Sequence, residues 1–162
     1  MFDFVSKSDI FEFFNIKIDF EDFNKKYLKN ECLSMFDNLN NTNLKYGCLE
    51  FININFSYIG LVEELIIKSN QIKRLALSTD YEKITELNYN CFFKTLFSIK
   101  NIENNLVYLR MRTSQNYMLD SNSFNYLNNL KSLEELELEG FTFESTFILD
   151  LQNLKILSIH SC

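Results

Sequence analysis

The chain of 162 residues contains no proline, no tryptophan, three glycines and one histidine. Each shortage narrows what the protein can be. Without proline there is no proline-rich spacer of the kind that separates domains, and this length suits one domain better than two. Gly47, Gly60 and Gly140 are scattered, so neither GxxxxGK[ST] nor GxGxxG can be built from them. His160 has Cys162 two residues away, yet no orienting group or oxyanion donor accompanies the pair, so a catalytic Cys–His arrangement is not expected. Cations are in deficit as well. Lys and Arg number 16 against 22 Asp and Glu, giving a formal net charge of -6. Nucleic acid and anionic membrane surfaces are therefore poor partners, because phosphate binding needs concentrated basic surface. No apolar run is long enough to span a bilayer. The opening Met1-Phe2-Asp3-Phe4-Val5 meets an acid too early for a secretory signal. Asp19, Glu21 and Asp22 lack the spacing and the glycine of an EF-hand loop and read as a solvated turn.

Cysteine is not scarce, but Cys32, Cys48, Cys91 and Cys162 match no zinc spacing and no CxxC redox pair. They read as reduced thiols, mostly buried as small apolar groups. That places the protein in the cytoplasm, with the nucleus as the alternative. No cofactor, metal or catalytic residue is expected.

What is present is apolar and aromatic. Hydrophobic residues make up 46% and are spread along the whole chain, which argues against disorder. Asparagine takes over the turn roles, since its short amide tolerates left-handed backbone.

A pattern recurs: apolar, two variable residues, apolar, one variable, apolar. It reads Val62-Leu65-Ile67, Ile84-Leu87-Tyr89, Leu106-Leu109-Met111, Leu133-Leu136-Leu138 and Leu154-Leu157-Ile159, with starts 22, 22, 27 and 21 residues apart. The first copy continues through Asn70 and Ile72, completing L-x-x-L-x-L-x-x-N-x-L, and the last reaches Cys162 at the same position. The copies at Leu106 and Leu133 carry Ser114 and Phe141 there. The alternation is that of a short strand with one buried face. Such a strand cannot cover itself within one repeat, so neighbouring repeats stack and supply both backbone partners and apolar cover. Return segments are expected from Phe92, Phe93, Leu96, Phe97 and Ile99, from Phe124, Leu127 and Leu130, and, as a short helix or 3₁₀ turn, from Phe147, Ile148 and Leu151. The early register has an alternative. Ile72-Leu75-Leu77 also fits, with Leu61 to Ser69 as a helix before it.

The phrasing Asn153-Leu154-Lys155-Ile156-Leu157-Ser158-Ile159-His160-Ser161-Cys162 resembles leucine-rich repeats of the cysteine-containing type found in F-box proteins. The Asn-, Ile- and Phe-rich stretch Leu44 to Asn90 is similar to irregular early repeats of large fungal and protist families of that kind. The resemblance covers about Leu44 to Cys162. It implies an α/β leucine-rich-repeat solenoid: a curved parallel sheet with a helical or irregular convex side. It also implies a non-enzymatic protein-binding module, serving substrate recognition in an F-box-like ubiquitin ligase subunit. A stand-alone scaffold or effector, and a truncated non-functional fragment, are the alternatives.

Two regions follow. Residues 1–43 are expected to be a helical amino-terminal cap or a degenerate F-box-like segment. Ser8 would cap a helix through Phe11 and Phe14, Ile16 to Phe23 alternate as if extended, and Cys32, Leu33, Phe36 and Leu39 have helical spacing. The Leu-Pro opening usual in an F-box is not present. Residues 44–162 are expected to be the repeat arc, incomplete at its carboxyl end, with an unpaired edge and exposed apolar face on the last strand.

Binding is expected on the concave side, where the variable strand residues line up in rows. Two after each start lie Glu64, Glu86, Tyr108, Glu135 and Ile156. Four after lie Ile66, Asn88, Arg110, Glu137 and Ser158. Six after lie Lys68, Asn90, Arg112, Glu139 and His160. The expected site is Glu86, Asn88, Tyr108, Arg110, Arg112, Glu135, Glu137, Glu139, Ser158 and His160. Stacking should place Arg110 beside Glu137 and Arg112 beside Glu139. Glu134, Glu135, Glu137 and Glu139 make an acidic strand, which suits a protein partner with a basic patch. A ligase adaptor is the second expected partner.

Overall fold

The computed structural model describes residues 13–20, 27–40, 45–54, 56–69, 72–79, 86–143 and 148–160. Among the described residues six strands form one sheet in chain order, and every pairing is parallel. The strands are β1 (Phe13–Asp19), β2 (Lys45–Ile54), β3 (Arg74–Thr79), β4 (Tyr108–Leu119), β5 (Glu135–Phe143) and β6 (Ile156–His160). Between them lie α1 (Tyr27–Asn40), a 3₁₀ turn (Phe56–Tyr58) leading into α2 (Ile59–Lys68), α3 (Glu86–Phe97), α4 (Lys100–Asn105) and α5 (Ser121–Leu127). Parallel neighbours need crossover segments, and the helices supply them. The architecture is α/β, and its sequential parallel order is consistent with a solenoid.

Register explains the core. Ile16, Leu49, Leu75, Leu109, Leu136 and Leu157 lie side by side across the strands, and Ile18, Phe51, Leu77, Met111, Leu138 and Ile159 form the adjacent row. The first five of each row are buried against the helices. Each such side chain removed from water contributes about 1.5–3 kcal/mol. Phe93 of α3 packs on Phe97 at 5.3 Å and, edge-on, on Phe141 at 6.3 Å, and Tyr117 closes on Phe141 at 6.3 Å. Helix α5 begins where the Asp120 carboxylate accepts from the Ser123 N–H at 2.8 Å, satisfying an orphan donor of the first turn. Its buried Ser123, Phe124 and Leu127 then fall on one face.

The stacking has a repeating hydrogen-bond signature. Val107 and Tyr108 N–H both donate to Lys73 O, Glu134 and Glu135 N–H to Val107 O, and Lys155 and Ile156 N–H to Glu134 O. Side chains add a second stitch, with Ser132 Oγ donating to Asn104 O at 2.8 Å and Asn153 Nδ2 to Lys131 O at 2.6 Å.

Several expectations need correction. Val62-Leu65-Ile67 is not a strand but part of α2, which buries Leu61, Val62, Leu65 and Ile66 and leaves Ile67 59% exposed. Residues three and four apart share a helix face, so the same leucine spacing served a helix. The next proposed copy is also displaced. Leu87 and Tyr89 belong to α3, and Ile84 lies outside the described residues. The alternative register is the observed one, with Leu75 and Leu77 in β3. In the amino-terminal region Phe14 is in β1 rather than a helix, and Ser8 and Phe11 lie outside the described residues. Residues 13–40 thus hold a strand as well as the helix that Cys32, Leu33 and Phe36 foretold, and that strand pairs directly with β2. Residues 148–155 form no helix, but the Leu154 N–H donates to Leu151 O at 3.1 Å, closing a single turn of the tighter kind expected there; Ile148 is 80% exposed, and Phe147 lies outside the described residues.

Helices α3 and α5 fall where the aromatic and leucine spacing put them, whereas α4 was not foreseen. On β6 the inward-facing Leu157 and Ile159 are 47% and 41% exposed, against 0% and 1% for Leu136 and Leu138 beside them. Among the described residues no strand pairs with the far side of β6.

Candidate functional site

Alternation along each strand sends every second side chain away from the helices, onto a face they leave open. Three rows cross it. Asn15, Cys48, Arg74, Tyr108, Glu135 and Ile156 form the first, and Lys17, Glu50, Ala76, Arg110, Glu137 and Ser158 the second. Asp19 and Ile52 begin the third, which resumes beyond the irregularity of β2 with Ser78, Arg112, Glu139 and His160.

Eight of the ten expected site residues stand on this face: Tyr108, Arg110, Arg112, Glu135, Glu137, Glu139, Ser158 and His160. Glu86 and Asn88 do not, because the early register is displaced and both belong to α3. Their places are taken by Arg74, Ala76 and Ser78 of β3, and the rows run on through β2 and β1. The signal for these was in the chain. Phe13-x-x-Ile16-x-Ile18 and Tyr46-x-x-Leu49-x-Phe51 obey the same apolar rule as the later copies, at intervals that range from 21 residues (Leu133 to Leu154) to 34 (Ile72 to Leu106).

The neighbours foreseen from spacing are in place. Arg110 Nε lies 3.5 Å from Glu137 Oε2 and Arg112 Nε 3.1 Å from Glu139 Oε1. Arg110 Nη2 also reaches Glu139 at 3.8 Å, and Arg74 Nη2 reaches Glu135 at 3.7 Å. The Arg74 guanidinium sits 4.1 Å above the Tyr108 ring, a cation–π contact that holds both side chains over the sheet. Burial, the Glu137 charge and a hydrogen bond with Glu137 push the Tyr108 hydroxyl pKa up, while Arg110 and Arg74 pull it down less strongly. At neutral pH Tyr108 is therefore a hydrogen-bonding phenol.

The face is electrically striped. Arginines on β3 and β4 form a cationic band, and Glu135, Glu137 and Glu139 form an anionic band on β5. The ion pairs are partly solvated, with Arg110 and Glu137 side chains 41% and 38% exposed. They tune the surface more than they hold the fold.

Beside the β4 arginines, β3 lines a depression of about 290 Å³ with Ala76, Leu77 and Ser78, of which the outward Ala76 and Ser78 are small. Lys17 and Glu50 border it on one side and Arg110 and Arg112 on the other. At its end Asn53 adopts a positive φ of 53°, which its short amide tolerates, and donates from Nδ2 to Asp19 Oδ1 at 2.8 Å. The irregularity between Phe51 and Ile54 sits at this point.

Cys32 and Cys48 are free thiols. Burial, helped by the Glu31 charge, pushes the Cys32 thiol up to about 11. Burial likewise raises Cys48, with Arg74 opposing and Glu50 adding. Cys162 and the side chain of Cys91 lie outside what is described. Among the described residues no group of three His, Cys, Asp or Glu could hold a metal ion, and no helix is long and apolar enough to cross a membrane. No protein-family model, curated protein or solved structure matches the chain.

Proposed function

We propose that this chain is a leucine-rich-repeat-type solenoid whose open sheet face binds another protein. One observation carries the reading: an arginine band on β4 faces a glutamate band on β5, on a surface that no helix among the described residues covers. Charges held in register on a rigid sheet give partner selectivity and steer encounter. The free, buried thiol of Cys32 suits a reducing compartment, the cytoplasm or nucleus.

Within this reading the module selects substrates for an F-box-like ubiquitin ligase subunit, as the repeat phrasing implies. The stand-alone scaffold gains support from β1. There Phe13–Asp19 pairs with the repeat strand β2, so the described part of this region joins the sheet, which favours a role as the first unit of the arc. Affinity purification from native cells, read by mass spectrometry, separates the two by presence or absence of a ligase adaptor. The face itself is tested by Arg110→Glu and Glu137→Arg, singly and together. Each single reversal should weaken the recovered partner roughly tenfold. If neither does while circular dichroism is unchanged, the open face is not where the partner binds.

A further inference from the structure

Two features adjoin on the open face: the depression over β3, and the anionic band two strands away on β5. Three of the four charged groups bordering the depression are cationic, Lys17, Arg110 and Arg112 against Glu50. Each arginine carries five N–H donors, more than its contacts to Glu137 and Glu139 use. The glutamates thus hold the guanidiniums in place and leave donors for an incoming acid. A volume of about 290 Å³ lies at the small end for ligand pockets and suits one or two side chains rather than a cofactor. Further along the same direction, Glu135, Glu137 and Glu139 call for a cation.

Strand spacing fixes the separation of the two demands. From β3 to β5 is two strand steps, about 9.5 Å. A polyproline-II segment rises about 3.1 Å per residue with three residues per turn, so its residues i and i+3 share a face about 9 Å apart. A β-strand turns i and i+3 to opposite sides; an α-helix places i and i+4 about 6 Å and i and i+7 about 10.5 Å apart, and at about 10–12 Å across it is broader than the two strand steps it would have to span.

We propose that the open face binds an extended, polyproline-II-like segment of a partner protein that crosses the strands, with an Asp or Glu in the depression over Ala76 and Ser78 and a Lys or Arg three residues away over the β5 glutamates. This rests on the protein-binding reading above and gives its partner a chemistry. The extended backbone keeps the segment narrow enough to lie in the depression, and the two opposite charges each meet a band of the complementary sign.

The test uses fluorescein-labelled peptides with a Glu-Pro-Pro-Arg core, its reversed order Arg-Pro-Pro-Glu, the like-charged Glu-Pro-Pro-Glu and Arg-Pro-Pro-Arg, and a Glu-Pro-Pro-Pro-Arg spacing control. Binding to the full chain is read by fluorescence anisotropy. One of the two bipolar orders should bind about tenfold tighter than either like-charged peptide, and the added residue should remove that advantage. In the double variant R110E/R112E, with circular dichroism confirming the fold, the preference should move to Arg-Pro-Pro-Arg. A like-charged peptide binding the parent as well as the bipolar ones, an unchanged preference in the variant, or no binding by any peptide overturns the proposal. Partner recovery that still depends on Arg110 and Glu137 would then leave the protein-binding reading standing, whereas loss of that dependence would remove both.

Discussion

Two glycines should answer the same substitution with opposite signs. Gly140 sits in β5 at a φ of 79°, where an added Cβ would overlap the Thr113 carbonyl oxygen and lie 3.0 Å from its carbon and 3.1 Å from Thr113 Cγ2. The neighbouring strand bulges there. Arg112 pairs with Glu139 and Tyr117 with Phe141, so four residues of β4 stand opposite Gly140 alone. Left-handed backbone costs a residue with a Cβ about 1–2 kcal/mol. Displacing Thr113 inside a packed sheet adds about 1–3 kcal/mol. Gly140→Ala should therefore cost about 2–5 kcal/mol, which for a chain of this size lowers the melting temperature by roughly 10 °C. Gly60 is the control. It lies in the first turn of α2 with nothing within 4 Å of an added Cβ. Gly60→Ala should stabilise by about 0.5–1 kcal/mol, because alanine loses less backbone entropy in a helix. Thermal unfolding followed by circular dichroism reads both. A Gly140→Ala protein melting at or above the parent would refute the argument from backbone sign and overlap, and with it the bulge geometry of β4.

Four more outcomes are expected. The Ser114 hydroxyl is shut off from solvent without a hydrogen-bond partner among the described residues, so Ser114→Ala should raise stability by about 1 kcal/mol in urea denaturation rather than lower it. Cys32, wholly buried with its thiol pushed up to about 11 from 9.0, should resist alkylation at pH 8 until the protein unfolds, as peptide mass mapping would show. Because the folded pKa is the higher one, the thiol's contribution to stability is complete below pH 9.0 and is lost as pH rises towards about 11, so Cys32→Ala should flatten the pH–stability curve in that window. A double-mutant cycle on Arg110 and Glu137 should give a coupling of about 0.2–1 kcal/mol that shrinks in high salt, whereas a value of several kcal/mol would mean the pair is far less solvated than its geometry indicates.

The sequence was most legible where one period served one purpose. In β4, β5 and β6 the apolar alternation is strict and the residues between point outward, so register, neighbours and ion pairs followed from spacing. It was least legible around α2. There Leu61, Val62, Leu65 and Ile66 satisfy a helix face while Val62, Leu65 and Ile67 mimic a strand, and only the unfavourable exposure of Ile67 separates the two. Ile16 to Phe23 read as extended, as β1 is, but neither β1 nor β2 was recognised as a copy of the repeat, because aromatic and isoleucine side chains replace leucine there and the two starts stand farther apart than Leu106, Leu133 and Leu154 do. The depression over β3 could not be seen at all until the register was right. It exists because Ala76 and Ser78 are small between larger neighbours, and adjacency of that kind is a property of three strands together.

Crossover lengths vary along the chain, yet the outward positions keep one spacing, strand after strand. Variation in the connecting segments is absorbed behind the sheet, while the front behaves as a grid of interchangeable pegs. Exchanging Glu137 for lysine, or Ser158 for tyrosine, rewrites what the grid displays without asking the buried leucines to move. A lineage, or a designer, could therefore retarget this protein by changing a handful of outward side chains while the scaffold beneath stays as it is.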